Sequence, residues 1–309
     1  MLKKIVAVML VFAFILALGA CGEVPETELA EMQVEQVAQE EKKDTETEIV
    51  EVVEETIPEP TFTEHILVDD ENCTVKITGI DTDNMWGYTL KVFLENKTEL
   101  ELMYSLDGVS VNGFMCDPFW ASTVTANMKS NEEISFSEES FAQNGIDVPT
   151  EITFTLRIYD NNDWDAENLL EQEYTVYPLG EDAVKLYVRE MGTDDIVLCE
   201  NENCAIIVTG FYEDEIWGYT MQVYLENKTN AELMFSADGV AVNGFMCDPY
   251  WADTVAAGKR SNVEIIWPEE SFAENGIEEV TEIVLPFRVY DNNDWDAEDV
   301  VNETYTVNP

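Results

Sequence analysis

The chain has 309 residues, with 65 Asp and Glu against 15 Lys and Arg, and a formal net charge of −50. So large an acidic excess repels nucleic acid and anionic headgroups, which sets nucleic-acid binding aside. The single histidine, His65, lies outside the repeated sequence described below. Histidine triads and histidine-ligated zinc or copper sites therefore cannot be built within a repeat.

Residues 1–20 read as a targeting segment. Lys3 and Lys4 precede an almost unbroken apolar run from Ile5 to Leu18, short for a spanning helix. The following Leu18-Gly19-Ala20-Cys21 resembles the lipobox of bacterial lipoprotein signals. That resemblance implies cleavage before Cys21 and a lipid on its sulfur. Acyl chains there hold a protein at the membrane without a transmembrane helix, on the outer, extracellular face. Loss of residues 1–20 removes two lysines and no acid, so the mature charge becomes −52. Residues 21–64 are dominated by Glu, lack aromatics until Phe62, and close with Pro58 and Pro60. Such a segment buries too little apolar surface to offset its ordering entropy, which predicts a disordered, self-repelling acidic stalk.

Beyond the stalk the chain repeats itself. A shift of 131 residues superposes 67–178 on 198–309 without a gap, with about 66 of 112 positions identical. Within a copy the apolar period is two: Val75 and Ile77; Tyr88, Leu90, Val92 and Leu94; Ile152, Phe154, Leu156 and Ile158. These are half-buried strands. Shorter strands are predicted at 102–105, 109–114, 133–136 and 174–177, with turns at Asn96-Lys97-Thr98, Asp107-Gly108, Asn112-Gly113 and Asp160-Asn161-Asn162. One short helix is predicted over 138–144, capped by Ser137 and ended by Gly145. About seven antiparallel strands in about 110 residues predict an all-β chain of two tandem immunoglobulin-like β-sandwich domains, 65–180 and 196–309, with a small closed barrel as the alternative. The connection 181–195 offers little surface for shared burial, and Val184 to Val188 continue the last strand of the first copy. The cysteine–tryptophan–cysteine pattern of antibody domains is missing, so the likeness is architectural.

The run WGYTLKVFLENKT, then DGVSVNGFMCDPFW, SFAQNGID and RIYDNNDWDAE, resembles uncharacterised Ig-like domains of Gram-positive surface lipoproteins, a sandwich class that includes secreted mycobacterial antigens. The resemblance covers both copies. It implies a fold and a surface location, and supplies no catalytic residues.

Four groups of residues could carry chemistry. Cys73 and Cys116, matched by Cys204 and Cys247, are candidates for one disulfide per copy or for buried free thiols; Cys199, opposite Val68, has no counterpart. Asp160, Asn162, Asp163 and Asp165, with Asp291, Asn293, Asp294 and Asp296, are candidate calcium ligands. Ala166 and Gln172 occupy the places where an EF-hand needs glycine and glutamate, and turns in which Asp and Asn bond their own backbone are the favoured reading. Phe119, Trp120 and Trp164, with Tyr250, Trp251 and Trp295, follow Pro or acidic residues rather than strand alternation, either as a binding platform or as plugs closing the core. No cofactor is implied. The expectation is a non-catalytic, lipid-anchored module that binds or displays, its partner a surface protein or glycan, with two copies giving avidity. The alternative is a cell-envelope hydrolase or accessory domain using paired carboxylates.

Overall fold

The computed structural model describes residues 62, 64–163, 165–214 and 216–309. Cys21, the targeting segment, nearly all of the stalk and Trp164 lie outside the described residues. The fold is all-β. Copy one contains β1 (His65–Asp69), β2 (Cys73–Asp81), β3 (Tyr88–Asn96), β4 (Leu102–Val111), β5 (Phe114–Met115), β6 (Ala121–Val124), β7 (Lys129–Phe136), α1 (Glu138–Gln143), β8 (Ile152–Asp160) and β9 (Leu170–Val176). Copy two repeats the series as β10 (Ile196–Glu200), β11 (Cys204–Asp214), β12 (Gly218–Asn227), β13 (Leu233–Ala237), β14 (Ala241–Val242), β15 (Phe245–Met246), β16 (Trp251–Val255), β17 (Arg260–Trp267), α2 (Glu269–Asn275), β18 (Ile283–Asp291) and β19 (Val301–Val307).

In copy one, β1-β2-β3-β7 form one antiparallel sheet and β5-β4-β8-β9 another, with β6 also on β4. The alternating residues Val75, Ile77, Leu90, Val92 and Leu94 from the first sheet share a buried layer with Leu102, Tyr104, Phe154 and Leu156 from the second. Burying these faces together supplies most of the driving force, at about 25 cal/mol per Å² of apolar surface. Copy two builds the same two layers, with Trp267 in place of Phe136 and its indole Nε1 donating to the Cys247 carbonyl at 2.7 Å.

Two local expectations are corrected. Asp107-Gly108 is not a turn in copy one. The chain runs on through β4, and the register against β8 shifts between Asp107 and Ser110, with Gly108 at φ 59°. A bulge absorbs that glycine conformation without reversing the strand. Val184 to Val188 do not extend β9; a 3-10 turn at Glu181–Ala183 follows it. Gly87 explains the repeated Trp-Gly-Tyr-Thr: its φ is 100°, and a Cβ there would lie 2.1 Å from the Phe136 carbonyl oxygen. Gly218 meets Trp267 in the same way at 2.3 Å. The helix α1 starts where Ser137 Oγ accepts from Ser140 N at 3.1 Å; in copy two Pro268 replaces that cap.

The copies are joined by more than their connection. β17 pairs in parallel with β5, Arg260 opposite Phe114, and Arg260 N donates to the Gly113 carbonyl at 2.9 Å. One sheet therefore runs through both copies in the order β10-β11-β12-β17-β5-β4-β8-β9. Ala205, Ile207 and Tyr224 of copy two are buried with the core of copy one. The connection does share burial: Tyr187 packs edge-on against Phe114 at 4.9 Å, and the Arg189 guanidinium lies 4.8 Å from the Tyr224 ring. The described residues of both copies accordingly cluster as one compact unit.

Candidate functional site

Because β5 and α1 of copy one meet β16 and β17 of copy two, the junction leaves a groove of about 720 Å³. Its copy-one wall carries Phe119 and Ser140, its copy-two wall Trp251, Asp253 and Ser261. The two walls are tied by an amide pair: Asn262 donates from its backbone N and its Nδ2 to Asn144 Oδ1, both at 3.3 Å. Asn144 is itself held by its Nδ2, which donates to the Ser140 carbonyl at 3.0 Å. A second cavity of about 550 Å³, sharing Gln143, Asn262 and Glu264 with the first, continues along α1 toward Tyr187 and Arg189.

Two features of the groove are unusual for a passive crevice. The first is Phe119, 92% exposed and at φ 51°. Asp117 Oδ1 holds it there, accepting from Phe119 N at 2.7 Å. The left-handed region costs a bulky L-residue about 1–2 kcal/mol, and no burial offsets that here. Tyr250 repeats the arrangement in copy two, 91% exposed at φ 51°, its N donating to Asp248 Oδ1 at 2.9 Å. The second is Asp253, which stands where copy one has Ser122. Burial pushes its carboxyl up from the ordinary value despite donation from Thr254 N at 2.9 Å and Ser261 Oγ at 3.4 Å. A desolvated carboxyl in a cleft is a recurrent mark of function.

Of the residues singled out from the sequence, Cys116, Phe119 and Trp251 line the groove and the others fall elsewhere. Trp120 and Trp251 are half-buried and packed on the cores of their copies, Trp251 edge-on to Phe287 at 5.8 Å. They act as plugs rather than as a joint platform, and the aromatics that face solvent are the residues just before them. Trp295 is 72% exposed and leans on Tyr290 at 5.6 Å. Of the two readings of Cys73, Cys116, Cys204 and Cys247, the structure has the free thiols. Cys73 stands opposite Asn96, at one end of β3. Cys116 lies against α1, 3.6 Å from the Asn144 amide, near the Tyr88 end where Phe141 packs. That is about eight strand residues away, roughly 27 Å, whereas a disulfide needs Cα atoms within about 7 Å. Cys204, opposite Asn227, and Cys247, 3.5 Å from the Asn275 amide beside α2, are separated in the same way. The acidic loops are self-bonded turns. Asp160 Oδ1 accepts from Asn162 N at 2.9 Å and Asp163 Oδ1 from Asp165 N at 3.2 Å; Asp291 and Asp294 do the same for Asn293 and Asp296. Among the described residues no three acidic, cysteine or histidine side chains converge as metal ligands.

The groove was missed because its walls come from different copies. One signal for the junction lay in the sequence: Ala205-Ile206-Ile207-Val208 breaks the alternation that Thr74-Val75-Lys76-Ile77 keeps. A strand apolar on both faces is buried on both faces.

No family model matches the chain, and comparison with curated proteins finds no match.

Proposed function

We propose that the chain is a non-catalytic, lipid-anchored binding module of the cell surface, and that a glycan occupies the groove between its two copies. The observation that carries this reading is the strained, exposed Phe119 beside a wall of amides, hydroxyls and the Asp253 carboxyl. Sugars combine apolar ring faces, which stack on aromatics, with hydroxyls that need paired donors and acceptors. Each copy is read as an immunoglobulin-like β-sandwich. In support, β2-β3-β7 and β9-β8-β4 follow the order of strands A-B-E and G-F-C in that architecture. Lipid on Cys21 would hold this module at the membrane, in keeping with the resemblance to Gram-positive surface lipoproteins. Cys21→Ser should then release the protein from membranes of an expressing host.

The groove is tested with a panel of cell-wall glycans and basic peptides applied to the full chain. Glycan binding weakened roughly tenfold by Phe119→Ala supports the reading, tenfold being about 1.4 kcal/mol. Binding only to basic peptides, or glycan binding indifferent to Phe119, would refute it. Asp253 also gives a second reading its one foothold, as a protonated acid in a hydrolase of paired carboxylates. Release of reducing sugar by the wild type and not by Asp253→Asn would favour that alternative.

A further inference from the structure

Copy two carries one cysteine that copy one lacks, Cys199 in place of Val68. It sits in β10 just after a register shift that follows Val197, opposite Ile206 of β11. Cys204 lies two residues before Ile206, on the same side of the strand. Cys204 and Ile206 are buried in the core of copy two, and Cys199 packs against that core, whereas Ala205 and Ile207 turn toward copy one. The hairpin between them is tightly closed: Asn201 N donates to the Cys204 carbonyl at 3.0 Å, and Asn201 Oδ1 accepts from Asn203 N and Cys204 N, both at 2.8 Å. A bulge sharpens the local twist, which draws diagonal cross-strand neighbours together. Burial first, and then the neighbouring Cys199 thiol, push the Cys204 thiol up from its ordinary value. Cys199 is half-exposed, with the Asn201 amide 3.4 Å from its sulfur.

We infer that Cys199 and Cys204 are an oxidisable dithiol that closes into a disulfide tying β10 to β11. Cys199 gives the solvent-facing sulfur. Its thiolate attacks one sulfur of a small-molecule disulfide, forming a mixed disulfide and expelling one thiolate. The Cys204 sulfur, losing its proton to solvent, then attacks Cys199 and expels the second thiolate. The protein loses two electrons and two protons, and the small disulfide is reduced to two thiols. Burial raises the Cys204 thiol above its ordinary range, so little of it is thiolate near neutral pH, and the closing step speeds up as pH rises. The extracellular location proposed above supplies an environment in which such a bond persists, but the inference rests on the hairpin geometry and not on the groove.

The test uses the full chain, oxidised glutathione as oxidant, and iodoacetamide under denaturing conditions to mark the remaining thiols. Trypsin places both cysteines in one peptide, residues 190–228, which contains no other cysteine. The expected product is that peptide without alkyl groups and lighter by two hydrogens. Cys199→Val, which restores the copy-one residue and so keeps a side chain this fold accommodates, should leave Cys204 fully alkylated after the same treatment. Oxidation should also raise the melting temperature of the wild type and not of Cys199→Val. Two alkyl groups on the peptide after oxidant, or Cys204 recovered joined to Cys247, would overturn the inference.

Discussion

Asn96 and Asn227 show how much one buried amide can hold. Asn96 Nδ2 donates to the Leu100 and Val124 carbonyls, each at 2.8 Å, while its Oδ1 accepts from Thr98 N at 2.9 Å and Thr98 Oγ1 at 2.8 Å. The Asn-Lys-Thr tripeptide is thus a structural turn whose amide is fully used and almost wholly buried. Asn96→Ala leaves two carbonyls without their donor and should cost about 2–3 kcal/mol, read from the denaturant midpoint. Asn162→Ala, in an exposed turn, should stay within about 0.5 kcal/mol. Asp253 belongs to the same scale with the opposite sign. Its folded-state carboxyl titrates above the unfolded value of 3.8 because burial disfavours the charge. The folded protein therefore holds this proton more tightly than the unfolded chain does. Stability falls as pH rises from near 3.8 through the folded value, and the penalty is fully present above it. Asp253→Asn should melt higher than wild type at neutral pH, and the gap should close below about pH 3.8. A gap that persists at lower pH would mean that desolvation is not its cause.

Among the elements, the acidic loops after β8 and β18 make the clearest case for local chemistry serving structure. In each, an Asp carboxylate accepts from the backbone two residues on, and the neighbouring amide reaches a distant acid: Asn161 Nδ2 to Glu101 at 2.9 Å, Asn292 Nδ2 to Glu232 at 2.6 Å. Carboxylates already bonded to their own backbone are poorly disposed to surround a cation. Calcium and magnesium at equal ionic strength should raise the melting temperature by about the same amount, as screening of a strongly charged surface does. An excess for calcium that disappears in the Asp163→Ala, Asp294→Ala double variant would make these loops a site, since magnesium accepts a carboxylate cage less readily. The cysteines teach a related lesson. Correspondence between the copies made Cys204 and Cys247 a candidate pair, but strand register sets them at opposite ends and puts Cys199 diagonally across from Cys204.

The shared sheet governs the molecule as a whole. Arg260 ties copy two to copy one and to the connection: its backbone N donates to the Gly113 carbonyl and its guanidinium lies 4.9 Å from the Tyr187 ring, while its Nε is held within copy two by Glu226 at 3.3 Å. The full chain should melt in a single cooperative transition. Fragments 65–180 and 196–309 should each keep β-type circular dichroism, since each has its own pair of sheets, yet melt below the intact protein. A fragment 65–180 as stable as the whole would show that the buried Ala205, Ile207 and Tyr224 contribute nothing to copy one.

The sequence by itself determined the all-β class, the repeat and most strand positions, because alternation with period two is a local property imposed by the pleat. It also determined most of the turns, where Asn, Asp and Gly satisfy their own backbone within a few residues, though not Asp107-Gly108, which lies inside β4. Tertiary structure alone decided that β5 would pair with β17, that Phe119 rather than Trp120 would face solvent, and that Asp253 would be half-buried. Each of these depends on partners more than a hundred residues apart or on the exact face a loop presents. Burial of such groups is set by which surfaces meet, and one strand's pattern records only that a face is apolar, not what covers it.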